Sequence, residues 1–141
     1  MAVDVKTLTI GSHVEYKGKR GRILYVSPGG DFMNCGIHTT DDCGLPANYH
    51  ISGFEQIHPI PITPDLLKEL GFEDCEKKRW HTEDWEKRWG DCQYLSFTKL
   101  YRGEWRVHYF DGAKDRGQTV VRYLHEAEAF LALHGVELIK E

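Results

Sequence analysis

Glycine recurs so often across residues 8–60 that this half of the chain reads as short strands joined by turns rather than as helices. His13-Val14-Glu15-Tyr16 alternates with period two, and Arg22-Ile23-Leu24-Tyr25-Val26 does so more loosely. Between them Lys17-Gly18-Lys19-Arg20-Gly21 predicts a hairpin turn whose glycines supply positive φ. Ser27-Pro28-Gly29-Gly30 predicts a second turn, residues 32–38 a strand, Thr39-Thr40-Asp41-Asp42 a loop, and Phe54-Glu55-Gln56-Ile57-His58 a last strand before Pro59. Four or five short strands in so few residues suggest a small, strongly bent SH3-like barrel.

The chain then changes character. In Ile62-Thr63-Pro64-Asp65-Leu66-Leu67-Lys68-Glu69-Leu70-Gly71-Phe72, Thr63 caps a helix, Pro64 takes its first position and Asp65 complements its dipole. Leu66, Leu67 and Leu70 form its apolar face and Gly71 ends it. Gln93-Tyr94-Leu95-Ser96-Phe97-Thr98 and Glu104-Trp105-Arg106-Val107-His108-Tyr109-Phe110 alternate like half-buried antiparallel strands. Residues 120–134 predict a helix of about four turns ended by Gly135. Its stripe is Val120, Leu124, Ala127 and Leu131, with Tyr123 and Phe130 on the flank, and it is expected to pack across the second sheet. The fold class is therefore α+β: an N-terminal SH3-like small β-barrel over 1–61, then a short linking helix, an antiparallel sheet and one long C-terminal helix over 62–141.

Composition narrows the function. A net charge of −4 argues against broad, non-specific nucleic-acid binding, which needs a basic face to neutralise phosphates. Met1-Ala2-Val3-Asp4-Val5-Lys6 lacks the apolar run of a signal peptide, and no stretch approaches the ~20 apolar residues of a membrane span. The expectation is a cytoplasmic protein with no membrane partner. Cys35, Cys43, Cys75 and Cys92 form no Cys-x-x-Cys pair, and the spacing of Cys35, His38, Cys43 and His50 matches no familiar zinc finger or ribbon, so no metal or other cofactor is expected.

Two stretches carry a family resemblance. They are Pro61-Ile62-Thr63-Pro64-Asp65-Leu66-Leu67-Lys68-Glu69-Leu70-Gly71-Phe72 and, later, Val121-Arg122-Tyr123-Leu124-His125-Glu126-Ala127 leading to Leu133-His134-Gly135-Val136-Glu137-Leu138. The chain resembles uncharacterised small accessory proteins encoded by phages, prophages and mobile elements of gut bacteria. The resemblance spans most of the chain in order, but its positions are apolar, capping or turn residues, apart from His125 and Glu126. Ala127 stands where leucine is usual, and the tryptophan-rich segment is an insert. What the resemblance implies is an origin and a fold, with the cytoplasm of a bacterial host as the location.

Catalytic motifs fail on inspection. His125-Glu126 lacks the second histidine of a His-Glu-x-x-His site, since Ala129 occupies that position, and His81-Thr82-Glu83 lacks the Pro-Cys-x-x-Cys of a zinc deaminase. No Gly-x-Ser-x-Gly elbow, phosphate loop or dinucleotide fingerprint is present. Lys17, Lys19, Arg20 and Arg22 on the first hairpin are possible nucleic-acid contacts, with a solvated hairpin tip as the plainer reading.

The remaining candidates are the tryptophans of Arg79-Trp80-His81-Thr82-Glu83-Asp84-Trp85-Glu86-Lys87-Arg88-Trp89. Thr82 predicts the cap of a short helix opened by Glu83 and Asp84, closed by Lys87 and Arg88, and stopped by Gly90. Trp85 and Trp89 would share one face of it, partly exposed and flanked by Arg79 and Arg88, with Trp80 packed at the entry. These five residues are the candidate ligand or partner site. The expected function is a non-enzymatic accessory protein that binds and inhibits a host defence protein. The alternatives are sequestration of a small anionic, nucleotide-like signal in an aromatic and arginine pocket, in a homo-oligomer, or an RNA- or DNA-associated SH3-like module.

Overall fold

The computed structural model describes residues 8–29, 32–52, 55–75, 83–90 and 92–139. It is α+β: two antiparallel sheets of five strands each and two α-helices. The chain divides into two compact units, one of Met1–Ile60 with Tyr123–Ala129, the other of Pro61–Arg122 with Phe130–Glu141.

The first unit carries β1 (His13–Tyr16), β2 (Lys19–Gly29), β3 (Phe32–Thr40), β4 (Pro46–Ser52) and β5 (Ile57–His58) in the order β4-β3-β2-β1-β5. The hydrogen bonding leaves β4 and β5 as edges, so the sheet is open rather than closed into a barrel. The first hairpin turns on two residues with positive φ, Lys17 at 50° and Gly18 at 75°, a geometry that matches the twist of the strands it joins. Gly21 lies inside β2 rather than in that turn. A Cβ there would stand 2.4 Å from Ile37 Cγ2, so its lack of a side chain serves close packing. Val14, Ile23, Cys35, Ile37, Ile51 and Ile57 form the core with Tyr16. Each fully buried aliphatic side chain there contributes about 1.5–3 kcal/mol.

In the second unit α1 (Pro64–Glu69) forms as its caps predict: Thr63 Oγ1 accepts the Leu66 amide at 3.2 Å, and Leu66 and Leu67 are buried. Gly71, at φ 90°, ends it, with the Phe72 amide reaching the Leu67 carbonyl. The sheet is a meander of β6 (Glu73–Asp74), β7 (Asp84–Trp89), β8 (Gln93–Lys99), β9 (Trp105–Asp111) and β10 (Lys114–Val121). Its inner face is aromatic: Trp85, Phe97, Trp105 and Tyr109 are buried with Leu95 and Val107. Trp105 Nε1–H donates to the Ile62 carbonyl at 3.0 Å, so the largest ring loses no hydrogen bond on burial.

Three sequence expectations are corrected here. The segment predicted as a helix over 83–89 is strand β7, because its alternate residues pair with β8 on one side and β6 on the other. The C-terminal helix α2 (Leu124–Ala132) is also shorter than expected, because Val120 and Val121 stay extended in β10. Leu124, Ala127 and Leu131 are buried as the stripe requires, while Val120 is exposed. Glu126 Oε1 accepts the Tyr123 amide at 3.0 Å, the return half of a capping box. Residues Tyr123–Ala129 group with the first unit rather than with the second sheet. There Glu128 takes the His13 amide and the His13 ring Nδ1, both at 2.7 Å, with both side chains buried.

Candidate functional site

The outward face of the second sheet is set by register. Arg88 pairs with Tyr94, Tyr94 with Phe110 and Phe110 with Asp115, one row across four strands. The next row is Glu86, Ser96, His108 and Gln118. Side chains two residues apart on a strand share a face, so these rows stack into one surface.

Arg88, Tyr94 and Phe110 of the first row and His108 of the second make a continuous run of tilted ring contacts. The Arg88 guanidinium lies 5.3 Å from the Tyr94 ring centre, Tyr94 and Phe110 are 5.5 Å apart, and Phe110 and His108 are 4.1 Å apart. A planar, weakly hydrated guanidinium over a tyrosine face keeps its charge and its donors in one plane. Tyr94 hydroxyl donates to Glu86, fixing the ring from the second row. Behind it Asp84, buried, accepts from Ser96 Oγ at 2.7 Å and Thr98 Oγ1 at 3.1 Å.

A groove of about 550 Å³ opens along this row. Arg88, Tyr94, Phe110 and Gln93 line it, together with Gly90 and Cys92 of the β7–β8 turn and Gly112 and Ala113 of the β9–β10 turn. The Gly112 amide donates to the Cys92 carbonyl at 2.8 Å, tying the two turns together. Arg88 is the one charged side chain lining the groove among the described residues. The arrangement suits a flat, apolar ring bearing an anionic group, and the volume lies in the range of small-ligand pockets.

Electrostatics bear on two neighbours. His108 Nε2 lies 2.8 Å from Asp115 Oδ1, and this contact, with the Gly117 amide, holds the Asp115 carboxyl below the usual carboxylate range. Burial, followed by a hydrogen bond to Glu86, pushes the Cys75 thiol up to about 11, and burial does the same to Cys35. Both stay protonated near neutrality, the opposite of an activated nucleophile.

Of the residues singled out in sequence, Arg88 lines the groove. Trp85 does not: it is buried on the other face of β7, with its Nε1–H donating to Glu83 Oε1 at 3.0 Å, so it offers no exposed indole. Position 89 closes β7 opposite Gln93, and its side chain lies outside the described residues, as do Arg79 and Trp80. On the first hairpin Lys19 Nζ is taken up by the Thr40 and Asp41 carbonyls at 3.1 and 2.6 Å. Lys17 leans over the rings of Tyr16 and Tyr49, and Arg20 is exposed while Arg22 is half-buried. Sequence reading missed Tyr94, Phe110 and Gln93. Their signal is the alternate, outward parity of β8 and β9, which only the register turns into neighbours of Arg88. Among the described residues no three of the histidines, cysteines and acids gather as a metal site, and no helix is long and apolar enough to cross a membrane.

No protein-family model matches the chain, and no curated protein or solved structure matches it.

Proposed function

We infer that the protein is a non-enzymatic binding protein that holds a small, flat, anionic ligand of nucleotide type in the groove of the second unit. The observation that carries the reading is the Arg88 guanidinium stacked over Tyr94 at the edge of a 550 Å³ groove whose next ring is Phe110. Arg88 would take the anionic group by paired hydrogen bonds, while Phe110 and Tyr94 take the ring face. The raised thiol of Cys75 supports binding rather than nucleophilic chemistry. Within this proposal the chain is an accessory protein of phage type acting in a bacterial cytoplasm, sequestering a signal rather than blocking a host protein. The SH3-like character of the first sheet belongs to the same proposal, supported by the return of β5 to pair with β1.

Calorimetric titration of a panel of mono- and dinucleotides tests it. Expected is saturable binding of at least one member, weakened by at least about tenfold in Arg88→Gln, the scale of one charge-assisted contact. Binding of no panel member, or binding unchanged in Arg88→Gln, would overturn the reading.

A further inference from the structure

The outward face of the first sheet carries a second aromatic surface, built differently. Its register places Asn48 beside His38, His38 beside Arg22, and His50 beside Gly36, which pairs with Tyr25. The bulge between Ile23 and Tyr25 brings Tyr25 to the outward side, since Ile23 is buried in the core and Tyr25 is 40% exposed. The Tyr25 ring lies on the backbone of Gly36: a Cβ at that glycine would stand 2.2 Å from Tyr25 Cε1. One ring face is therefore seated on glycine, and the exposure belongs to the other.

The seat is fixed from the side. Tyr25 hydroxyl and His50 Nδ1 are 2.5 Å apart, with the ring centres 5.9 Å apart and the planes 28° from parallel, and His38 Nδ1 meets Asn48 Oδ1 at 2.6 Å. With each Nδ1 engaged, each imidazole retains Nε2 for an outside partner. Arg22 lies on the same row as His38, its Nη2 next to Gly11, and Arg20 follows two residues away opposite Glu15. Glu15 offsets Arg20, and at the β1 end the row is closed by His13 buried against Glu128. The open part of the face thus combines a rigid exposed ring, imidazole and amide groups, and arginine.

We propose that this face binds a short single-stranded nucleic acid, with one base stacked on Tyr25, the edges read by His50, His38 and Asn48, and a phosphate met by Arg22. Stacking needs a ring whose face is open and whose position is already fixed, and the Gly36 seat supplies both. Acidic peptide would match Arg22 but leave the Tyr25 face without a partner. The net charge of −4 confines the site to a few nucleotides, since the rest of the surface repels the strand. The inference stands on the first unit alone and is independent of the groove in the second.

Fluorescence anisotropy with a labelled oligouridine octamer tests it. One phosphate contact, at Arg22, predicts a log–log salt slope of about −0.7, falling towards zero in Arg22→Gln. Tyr25→Ala is expected to weaken binding roughly 5- to 150-fold, and Tyr25→Phe, which keeps the ring, to retain most of it. Amide shifts in the wild-type protein on adding the oligomer, centred on Gly36 and His50, support the site even if Tyr25→Ala fails to fold. No saturable binding, a wild-type slope near zero, equal displacement by polyglutamate, or loss of binding in Arg88→Gln instead of Arg22→Gln would each overturn it.

Discussion

The two sheets have the same number of strands and nearly the same antiparallel connectivity, yet they are filled differently. The first is packed with Val14, Ile23, Ile37, Ile51 and Ile57; the second with Trp85, Phe97, Trp105, Tyr109 and Phe72. A β-branched core distributes its burial over many small, equivalent contributions. An aromatic core concentrates it in a few rings, two of which also satisfy an indole N–H, at Glu83 and at the Ile62 carbonyl. The second unit is thus the more exposed to single substitutions, and on its outward face the Tyr94 ring is held by its hydrogen bond to Glu86.

That contrast fails if truncations in the two cores cost the same. Trp105→Ala should cost on the order of 3–5 kcal/mol by cavity formation, and leaves the Ile62 carbonyl without its donor. Ile37→Val, in the first sheet, should cost about 0.5–1.5 kcal/mol. Denaturant melts of both variants check this, and equal shifts in midpoint at equal m-value would remove the distinction.

Glu128→Ala falls between them. It strips a buried acceptor from the His13 amide and ring together, so a loss of about 1–3 kcal/mol is expected. If the melting curve does not move, the first unit does not depend on its helical segment.

Thiol labelling sharpens the comparison without mutation. Cys43 and Cys92 are exposed and should react with a maleimide at neutral pH, whereas Cys35, buried and protonated, should react only on unfolding, and Cys75, half-buried and protonated, should react more slowly than the exposed pair. Both raised thiols also bear on alkaline stability. A thiol held to about 11 in the fold ionises at about 9 when unfolded, so its contribution is intact below pH 9 and is lost as pH rises towards 11. Early labelling of Cys35 would show that the core of the first sheet opens on its own.

The smallest effect is at Asp115. Its folded carboxyl is held low by His108, so the stability it supplies is present above the ordinary carboxylate range and is lost as pH falls through the folded value. The melting difference between wild type and Asp115→Asn should therefore shrink to nothing in acid; a difference constant with pH would place the effect elsewhere.

Much of the fold is legible in the residues. The caps of α1, the hairpin at Lys17-Gly18, the alternation of β8 and β9 and the stop at Gly135 all carry local chemistry that the structure uses. The tryptophan segment was not legible, and the reason is geometric. A separation of four residues puts two side chains on one face of a helix and equally on one face of a strand. Acids before bases suited a helix dipole just as well, so the pattern did not decide, and pairing with Phe97 did. The groove was half visible. Arg88 stands out by its charge, but Tyr94 and Phe110 become its neighbours only through a register that no local signal encodes.

The assignment of Tyr123–Ala129 to the first unit has a consequence for how the protein is made. On a ribosome β1–β5 emerge early, but Glu128, the partner of His13, is translated after all five strands of the second sheet. The first unit therefore waits, incomplete, through the synthesis of the second sheet, and closes only once the segment carrying Glu128 has been made. A fragment stopped after Ile60 would carry every strand of that sheet and still lack the segment that completes it.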